Sequence, residues 1–365
     1  MSRLMDQNVA QNSCPEQSDQ RISLPAIPED ANKYSRGSLL ILAGSSSFPG
    51  AAVLCALAAA RTGAGYVTLA VPEPAATSAR AHLLSIPVVA APATSEGAFA
   101  ANALLSIIKG RQHIDAIVCG PGIMVSPETI AFVQEVMQFA AKHDIPLLLD
   151  ADALNALALY LGGGAANQES TNTPIKHKAT NVHANQESSS VTKQVTTQVT
   201  TQVTKQVTAQ AAKQAKHAAT QAAPLEQQKQ LPTFTEHKLT LTPHGGELAR
   251  LLCATQLQDA SMLAQLLRAI VVAKGPATVI TDGKKTIESA IGTAALAKAG
   301  TGDVLAGIIG SLLAQGMRPF EAALAGVKIH SKAGCLAEQN FGIRSVMAED
   351  VIAAISDVLR TLPII

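Results

Sequence analysis

Residues 37–71 read GSLLILAGSSSFPGAAVLCALAAARTGAGYVTLAV, and this stretch decides the fold. An apolar run at 38–43 gives way to the loop Gly44-Ser45-Ser46-Ser47-Phe48-Pro49-Gly50. An Ala/Leu helix over 51–62 and a second apolar run over 66–71 follow. Short runs without polar alternation suit strands covered on both faces. Two of them joined by a helix make a crossover unit of a mostly parallel sheet. The same strand signal returns at 115–119, 146–149, 239–241 and 277–280, and helical patterns occupy 302–315, 319–339 and 348–359. The expected class is therefore α/β, with a central, mostly parallel sheet covered by helices.

Composition agrees. Apolar residues make up 47% of the 365 and charged residues only 15%, with no Trp, so Ala, Leu, Val and Ile are left to build buried strands. A net charge of +1 carries no nucleic-acid signature. The five cysteines (Cys14, Cys55, Cys119, Cys253, Cys335) are dispersed, with no C-x-x-C pair. They read as reduced thiols of a cytoplasmic protein, with Cys55 and Cys119 in the core, and not as a disulfide framework or zinc site. Residues 1–30 are polar and lack the apolar segment of a signal peptide, so they read as a flexible leader. The longest apolar run, 51–60, is too short to span a bilayer and ends at Arg61. No membrane or nucleic-acid partner is expected.

One zone breaks the pattern. Residues 162–231 are rich in Gln, Thr, Ala, Asn and Ser, and 191–210 repeat Val-Thr-x-Gln with a period of four. That period sets Val on a drifting helical face, but the polarity and β-branching disfavour a stable lone helix. A mobile surface insertion is expected, with a fluctuating helix or partner-binding element as the sharper reading. The flanking zones, about 265 residues, suit one domain over 31–365 interrupted by this low-complexity insertion.

The chemistry is carried by punctuated strand ends, where sites form in parallel α/β sheets. They are Gly120-Pro121-Gly122, Asp150-Ala151-Asp152-Ala153-Leu154-Asn155, Thr242-Pro243-His244-Gly245-Gly246-Glu247 and Lys274-Gly275. The fullest is 297–307, Ala-Lys-Ala-Gly-Thr-Gly-Asp-Val-Leu-Ala-Gly. The amides of Gly300, Thr301 and Gly302, opening onto a helix, form a cradle for anionic oxygens. Asp303 in the first turn would repel phosphate but suits removal of a proton from an attacking hydroxyl. The reading is phosphoryl transfer to a small alcohol. An ordinary helix cap remains the bland alternative.

Taken together, the blocks at 44–65, 115–122, 148–157, 241–252, 274–280 and 295–307 resemble the ADP-dependent NAD(P)H-hydrate dehydratases of the ribokinase-like superfamily. The Thr-Pro-His…Glu and Gly-Thr-Gly-Asp blocks occur in that order with Pro-Gly-Ala-Ala. The resemblance spans about 33–359 apart from the polar insertion. It implies a three-layer αβα ribokinase-like fold. It also implies a lyase that restores NADH or NADPH hydrated at the nicotinamide C6, with ADP as co-substrate, Mg²⁺ on the nucleotide phosphates, and AMP and phosphate released.

Position by position, the resemblance implies that Ala51, Gly122, His244 and Asp303 line the hydrated dinucleotide, with Asp303 the catalytic base. It implies that Lys274, Gly275, Pro276, Ala277, Thr278 and Gly302 bind the adenine nucleotide, and that Gly300, Thr301 and Gly302 form the phosphate loop. No protein metal-ligand set is read from the sequence. Three departures stand out: Gly245 where Pro is usual, Ala299 where Gly is common, and Thr293-Ala294 where Asn-Gly or Pro-Gly is frequent. The resemblance further implies a homo-oligomer, often a tetramer. The epimerase domain to which relatives are often fused is expected to be absent. Two other functions fit the same residues: a small-molecule alcohol kinase of this superfamily, and a non-enzymatic nucleotide-binding or interaction protein using the Val-Thr-x-Gln segment.

Overall fold

The computed structural model describes residues 22–110, 113–163, 231–235, 237–289 and 292–363. Residues 1–21 of the expected leader, and all but the edges of the expected insertion with its Val-Thr-x-Gln repeats, lie outside the described residues.

The first half alternates strand and helix. It runs β1 (Ser38–Leu42), α1 (Pro49–Thr62), β2 (Tyr66–Pro72), α2 (Glu73–His82), β3 (Val88–Ala91), α3 (Ala103–Ile108) and β4 (Ala116–Cys119). It continues with α4 (Pro127–Lys142), β5 (Leu147–Leu149) and α5 (Asp152–Leu161). The second half contains β6 (Leu239–Leu241), α6 (Gly245–Thr255), α7 (Ala260–Leu267), β7 (Ala269–Ala273), β8 (Thr278–Thr281) and β9 (Thr286–Ser289). After a 3₁₀ turn (Ala294–Leu296) come α8 (Thr301–Ala314), α9 (Pro319–Phe341) and α10 (Ala348–Thr361).

Among the described residues the strands form one nine-stranded sheet, ordered β3-β2-β1-β4-β5-β6-β7-β8-β9. Pairing is parallel from β3 through β7 and antiparallel from β7 to β9. β5 and β6, which flank residues 164–230, are neighbours, with Leu148 opposite Thr240. Each half therefore supplies strands to one sheet. This is the expected α/β architecture in three layers.

The apolar runs are explained by the two faces. Leu39, Ile41, Ala116, Val118, Leu148, Ile270 and Val272 point into one core, under α1, α2, α8, α9 and α10. Leu40, Leu42, Ile117, Cys119, Leu147, Leu149, Ala269 and Val271 point into the other, under α3 to α7. A strand with a core on each side needs apolar residues at every position, because successive side chains face opposite ways.

The small residues of 51–60 also acquire a reason. A Cβ on Gly307 of α8 would lie 2.2 Å from the Cys55 carbonyl oxygen of α1 and 3.0 Å from the Ala58 Cβ. The two helices pack backbone to backbone, which brings their N-termini to the same end of the sheet. Ile22 and Leu24 pack on this helical layer, and the Leu24 N–H donates to the Pro363 carbonyl.

Cys55 and Cys119 are buried free thiols and Cys253 is an exposed one. Cys335 is disulfide-bonded. That corrects the expectation of reduced thiols throughout, which rested on spacing; spacing detects only pairs close in sequence. No helix among the described residues is long and apolar enough to cross a membrane.

Candidate active site

Strand order reverses between β1 and β4, the switch point beside which open α/β sheets place their ligand sites. Gly44 N–H donates to the Pro121 carbonyl at 2.7 Å and ties these loops together. Gly122, in the left-handed region at φ 66°, lies so close to the start of α1 that a Cβ would meet the Ala51 Cβ at 3.0 Å and the Phe48 Cβ at 2.8 Å. Ala51 and Gly122, 71 positions apart in sequence, are thus neighbours on one wall.

The next wall is built by β5, β6 and β7. Asp150 follows β5 and is 1% exposed. Its Oδ1 accepts from Thr242 Oγ1 at 2.7 Å and from Lys274 Nζ at 2.7 Å. The Lys274 N–H donates to the Pro243 carbonyl at 2.8 Å, which fixes its backbone beside the β6 loop. Burial works against the Lys274 ammonium, but Asp150, Glu247 and Asp303 outweigh it and hold its pKa above the ordinary lysine value. Beyond Lys274 the chain turns through exposed Gly275 and Pro276 into half-buried Ala277 and Thr278. Thr278 Oγ1 donates to the Gly275 carbonyl at 3.3 Å.

His244 is the N-cap of α6. Its Nδ1 accepts from the Gly246 N–H at 3.0 Å, and its Nε2 faces Glu247 Oε1 at 3.2 Å. Its own N–H donates to Glu247 Oε2 at 2.9 Å. Burial, then Lys274 and Arg250, lower its pKa, so the ring is neutral with its proton on Nε2. Both nitrogens are engaged within the chain. Gly245, where Pro was the family habit, opens the helix directly after it.

The floor is the N-terminus of α8. Gly300 is its N-cap at φ 91°, a conformation that favours glycine, and no side chain caps the helix. A Cβ on Gly302 would lie 3.4 Å from Lys274 Nζ, so the ammonium stands against this helix end. Thr301 Oγ1 turns away from it, donating to the carbonyls of Leu296 (2.7 Å) and Lys298 (2.8 Å). Behind the loop, the buried His330 ring hydrogen-bonds the Thr301 backbone; burial pushes its pKa down to about 4 and keeps it neutral.

Asp303 is half-buried in the first turn of α8. Burial first, then the charge of Asp150, push its carboxyl up to about 7; Lys274 opposes this, and Asp152 and Glu247 add to it. A group at that value exchanges its proton near neutral pH, as a general base requires.

The structure therefore gathers Ala51, Gly122, His244, Lys274, Gly300, Thr301, Gly302 and Asp303 at one end of the sheet, with 275–277 on the β7–β8 turn and Thr278 opening β8. Sequence reading quoted Asp150, Thr242 and Glu247 as loop residues without giving them a role, and it missed His330. The first three had a signal, polar residues at strand ends. A histidine inside an apolar helix has none. Among the described residues no group of three or more His, Cys, Asp or Glu side chains is arranged to hold a metal ion.

A family model described as NAD(P)H-hydrate dehydratase matches residues 39–221 and 221–357. The bifunctional NAD(P)H-hydrate repair enzyme of Moorella thermoacetica is 30% identical over 351 residues, covering 94% of this chain and 53% of that one. Its counterpart in Salinibacter ruber is 31% identical over 339 residues, covering 90% and 49%. The chain thus spans about half the length of the curated relatives it matches. Among solved structures, the ADP/ATP-dependent NAD(P)H-hydrate dehydratase of Bacillus subtilis, co-crystallised with ATP/Mg²⁺, is similar with TM-score 0.60, 22% identity and coverage of 93% and 94%. A ribokinase-like superfamily protein of Enterococcus faecalis gives 0.64, 18%, 93% and 92%. These two likenesses establish the ribokinase-like fold.

Proposed function

Because the chain belongs to the NAD(P)H-hydrate dehydratase family, we propose that it dehydrates NADH or NADPH hydrated at the nicotinamide C6, using ADP and releasing AMP and phosphate. The observation that supports this is the Asp303 carboxyl, held near 7 beside an uncapped helix end and the Lys274 ammonium. Asp303 takes the C6 hydroxyl proton as that oxygen attacks the terminal phosphorus of ADP. The new O–P bond forms, the bridging P–O bond breaks and AMP leaves. The ring nitrogen lone pair then expels phosphate from C6, and loss of a C5 proton restores the double bond. The amides of Gly300, Thr301 and Gly302 and the Lys274 ammonium stabilise charge on the moving phosphoryl group.

The Bacillus subtilis relative was crystallised with ATP/Mg²⁺. A surplus of carboxylates (Asp150, Asp152, Glu247 and Asp303) around one lysine suits a cation held mainly by nucleotide phosphates and its own waters. Such an ion would neutralise phosphate charge. Gly275, Pro276, Ala277 and Thr278 are proposed to hold the adenylate, and Ala51, Gly122 and His244 the dinucleotide; His244 must then release Glu247 or share its Nε2–H. Cytoplasmic residence, a tetrameric assembly and a single domain interrupted between β5 and β6 belong to the same proposal. Light scattering measures the assembly. Proteolysis within 165–230 is expected to leave associated, active fragments.

The deciding assay supplies hydrated NADH and ADP. Return of the NADH absorbance with one phosphate per turnover supports the dehydratase. A phosphorylated thiazole or pyridoxine alcohol, with no recovery of NADH, would replace it with the kinase reading.

A further inference from the structure

Two charges at the α8 N-terminus oppose each other. The helix end, which no side chain caps and whose Thr301 N–H reaches only the Lys298 carbonyl at 3.5 Å, favours an anion there, while Asp303, one turn in, repels it. A cation must stand at the same helix end for a phosphoryl group to sit beside an ionised base. Lys274 supplies one, but its side chain is long and rotamer-rich, and an ammonium left free would occupy many positions. What fixes it is Asp150. The carboxylate is 1% exposed, follows a buried strand, and spends one oxygen on both Lys274 Nζ and the Thr242 hydroxyl, each at 2.7 Å. Thr242 is itself 1% exposed and also donates to the Leu149 carbonyl at 3.3 Å.

We propose that Asp150 is a positioning residue, whose buried carboxylate, oriented by Thr242, fixes the Lys274 ammonium against Gly302 so that amides and ammonium meet the transferred phosphoryl group together. This rests on the dehydratase reading for its reaction but not for its geometry. Asp150 also acts through space on Asp303. The charged or titratable groups acting on Asp303 are Asp150, Asp152, Glu247 and Lys274. Cys55 of α1 is coupled to it as well, and His330 lies behind the same loop. Removing the Asp150 charge therefore removes one of the influences that raise the base.

The test is a cycle of Asp150→Asn, Lys274→Met and the double variant, read by KM for ADP, by the pH profile of kcat, and by calorimetric titration with ADP. Asp150→Asn should raise KM and Kd for ADP about tenfold or more, as loss of an orienting outer partner does. It should also move the acid limb of kcat to lower pH. In the Lys274→Met background the same change should add little to KM, because its target is gone. Unaltered ADP affinity in Asp150→Asn, or effects that simply multiply in the double variant, would overturn the proposal. A purely structural role would lower the folded fraction without moving the limb. Should Asp150→Asn not fold, Thr242→Val leaves every charge in place and removes the hydroxyl that holds Oδ1, along with its longer bond to the Leu149 carbonyl; it should weaken ADP about threefold with no movement of the limb, and unchanged ADP affinity there would equally refute the idea. Wild-type protein that binds ADP but restores no NADH would sink the dehydratase reading, and calorimetry would still decide this one.

Discussion

Two helix starts in this molecule are built alike and finished differently. α5 begins after Ala151 and α8 after Gly300; both N-caps have positive φ (49° and 91°), neither carries a side-chain cap, and each helix has an aspartate in its first turn. At α5 the polar groups are engaged. Asp152 accepts from the Met124 N–H at 3.0 Å, and Asp150 is closed off by Thr242 and Lys274. At α8 no hydrogen bond from a described residue acts on Asp303, whose pKa is instead lifted by burial and by charges belonging to the α5 junction. One junction is closed by hydrogen bonds within the chain, and at the other no described residue supplies one to the carboxylate.

The contrast breaks most severely at Asp303. Asp303→Asn should keep ligand binding and lower turnover by about 10²–10⁴, the usual loss on removing a general base; near-normal steady-state rates would refute its role. In the wild type, kcat should fall as pH drops through about 7, where the base becomes protonated. The stability sign is opposite. A carboxyl raised in the folded state binds its proton more tightly there than in the unfolded chain, so its charge destabilises the fold above pH 7 and that penalty fades as pH falls. Asp303→Asn should therefore melt higher than wild type at pH 8, by about 2–4 °C for each kcal/mol relieved, with the gain shrinking toward pH 5 in calorimetric scans.

Backbone substitutions sharpen the contrast next. A Cβ on Gly120, at φ 132°, would stand 1.9 Å from the Asp150 carbonyl oxygen, which is main chain and cannot yield. Gly120→Ala should destabilise by about 3 kcal/mol or more in denaturant titration. Gly300→Ala meets the end of the Leu54 side chain at 2.7 Å, which can rotate, so about 1–2 kcal/mol of strain remains there. Equal losses would mean that the two starts are not differently constrained.

Lys274→Ala comes third. It should weaken ADP use about tenfold to a hundredfold and dinucleotide binding much less, measured as separate KM values. Equal effects on both would remove the division between the walls. The smallest effect lies at Ala151, whose φ of 49° and ψ of −119° match the first corner of a type II′ turn, a glycine position. Ala151→Gly should stabilise by about 0.5–1 kcal/mol with activity unchanged; a loss of activity would show that strain at the closed junction matters to the open one.

Much of this was legible in the chain. The apolar runs announced strands covered on both faces, and the glycine-bearing strand ends gave the loops of the site. β3 and β9 lie at the sheet edges and are four residues each; β3 is apolar but closed in by Pro87 and Pro92, and β9 is mostly polar, so neither shows the longer apolar run of a central strand. The Cys335 disulfide had no local mark. Thr242, Glu247 and Asp150 were visible as polar punctuation, but nothing local told a helix cap from a partner of Lys274.

What the sequence determined by itself was whatever depends on neighbours in the chain: strand and helix periods, the layered class, the Gly300 turn, and an acid in the first turn of α8. What tertiary structure alone decided was which acid pairs with Lys274 and which is left with a raised proton affinity. Asp150 and Lys274 stand 124 residues apart, and their pairing exists only because β5, β6 and β7 lie side by side. Proton affinity depends on burial and on charges close in space. No pattern along the chain can carry that information, because the distances that set it are created by folding.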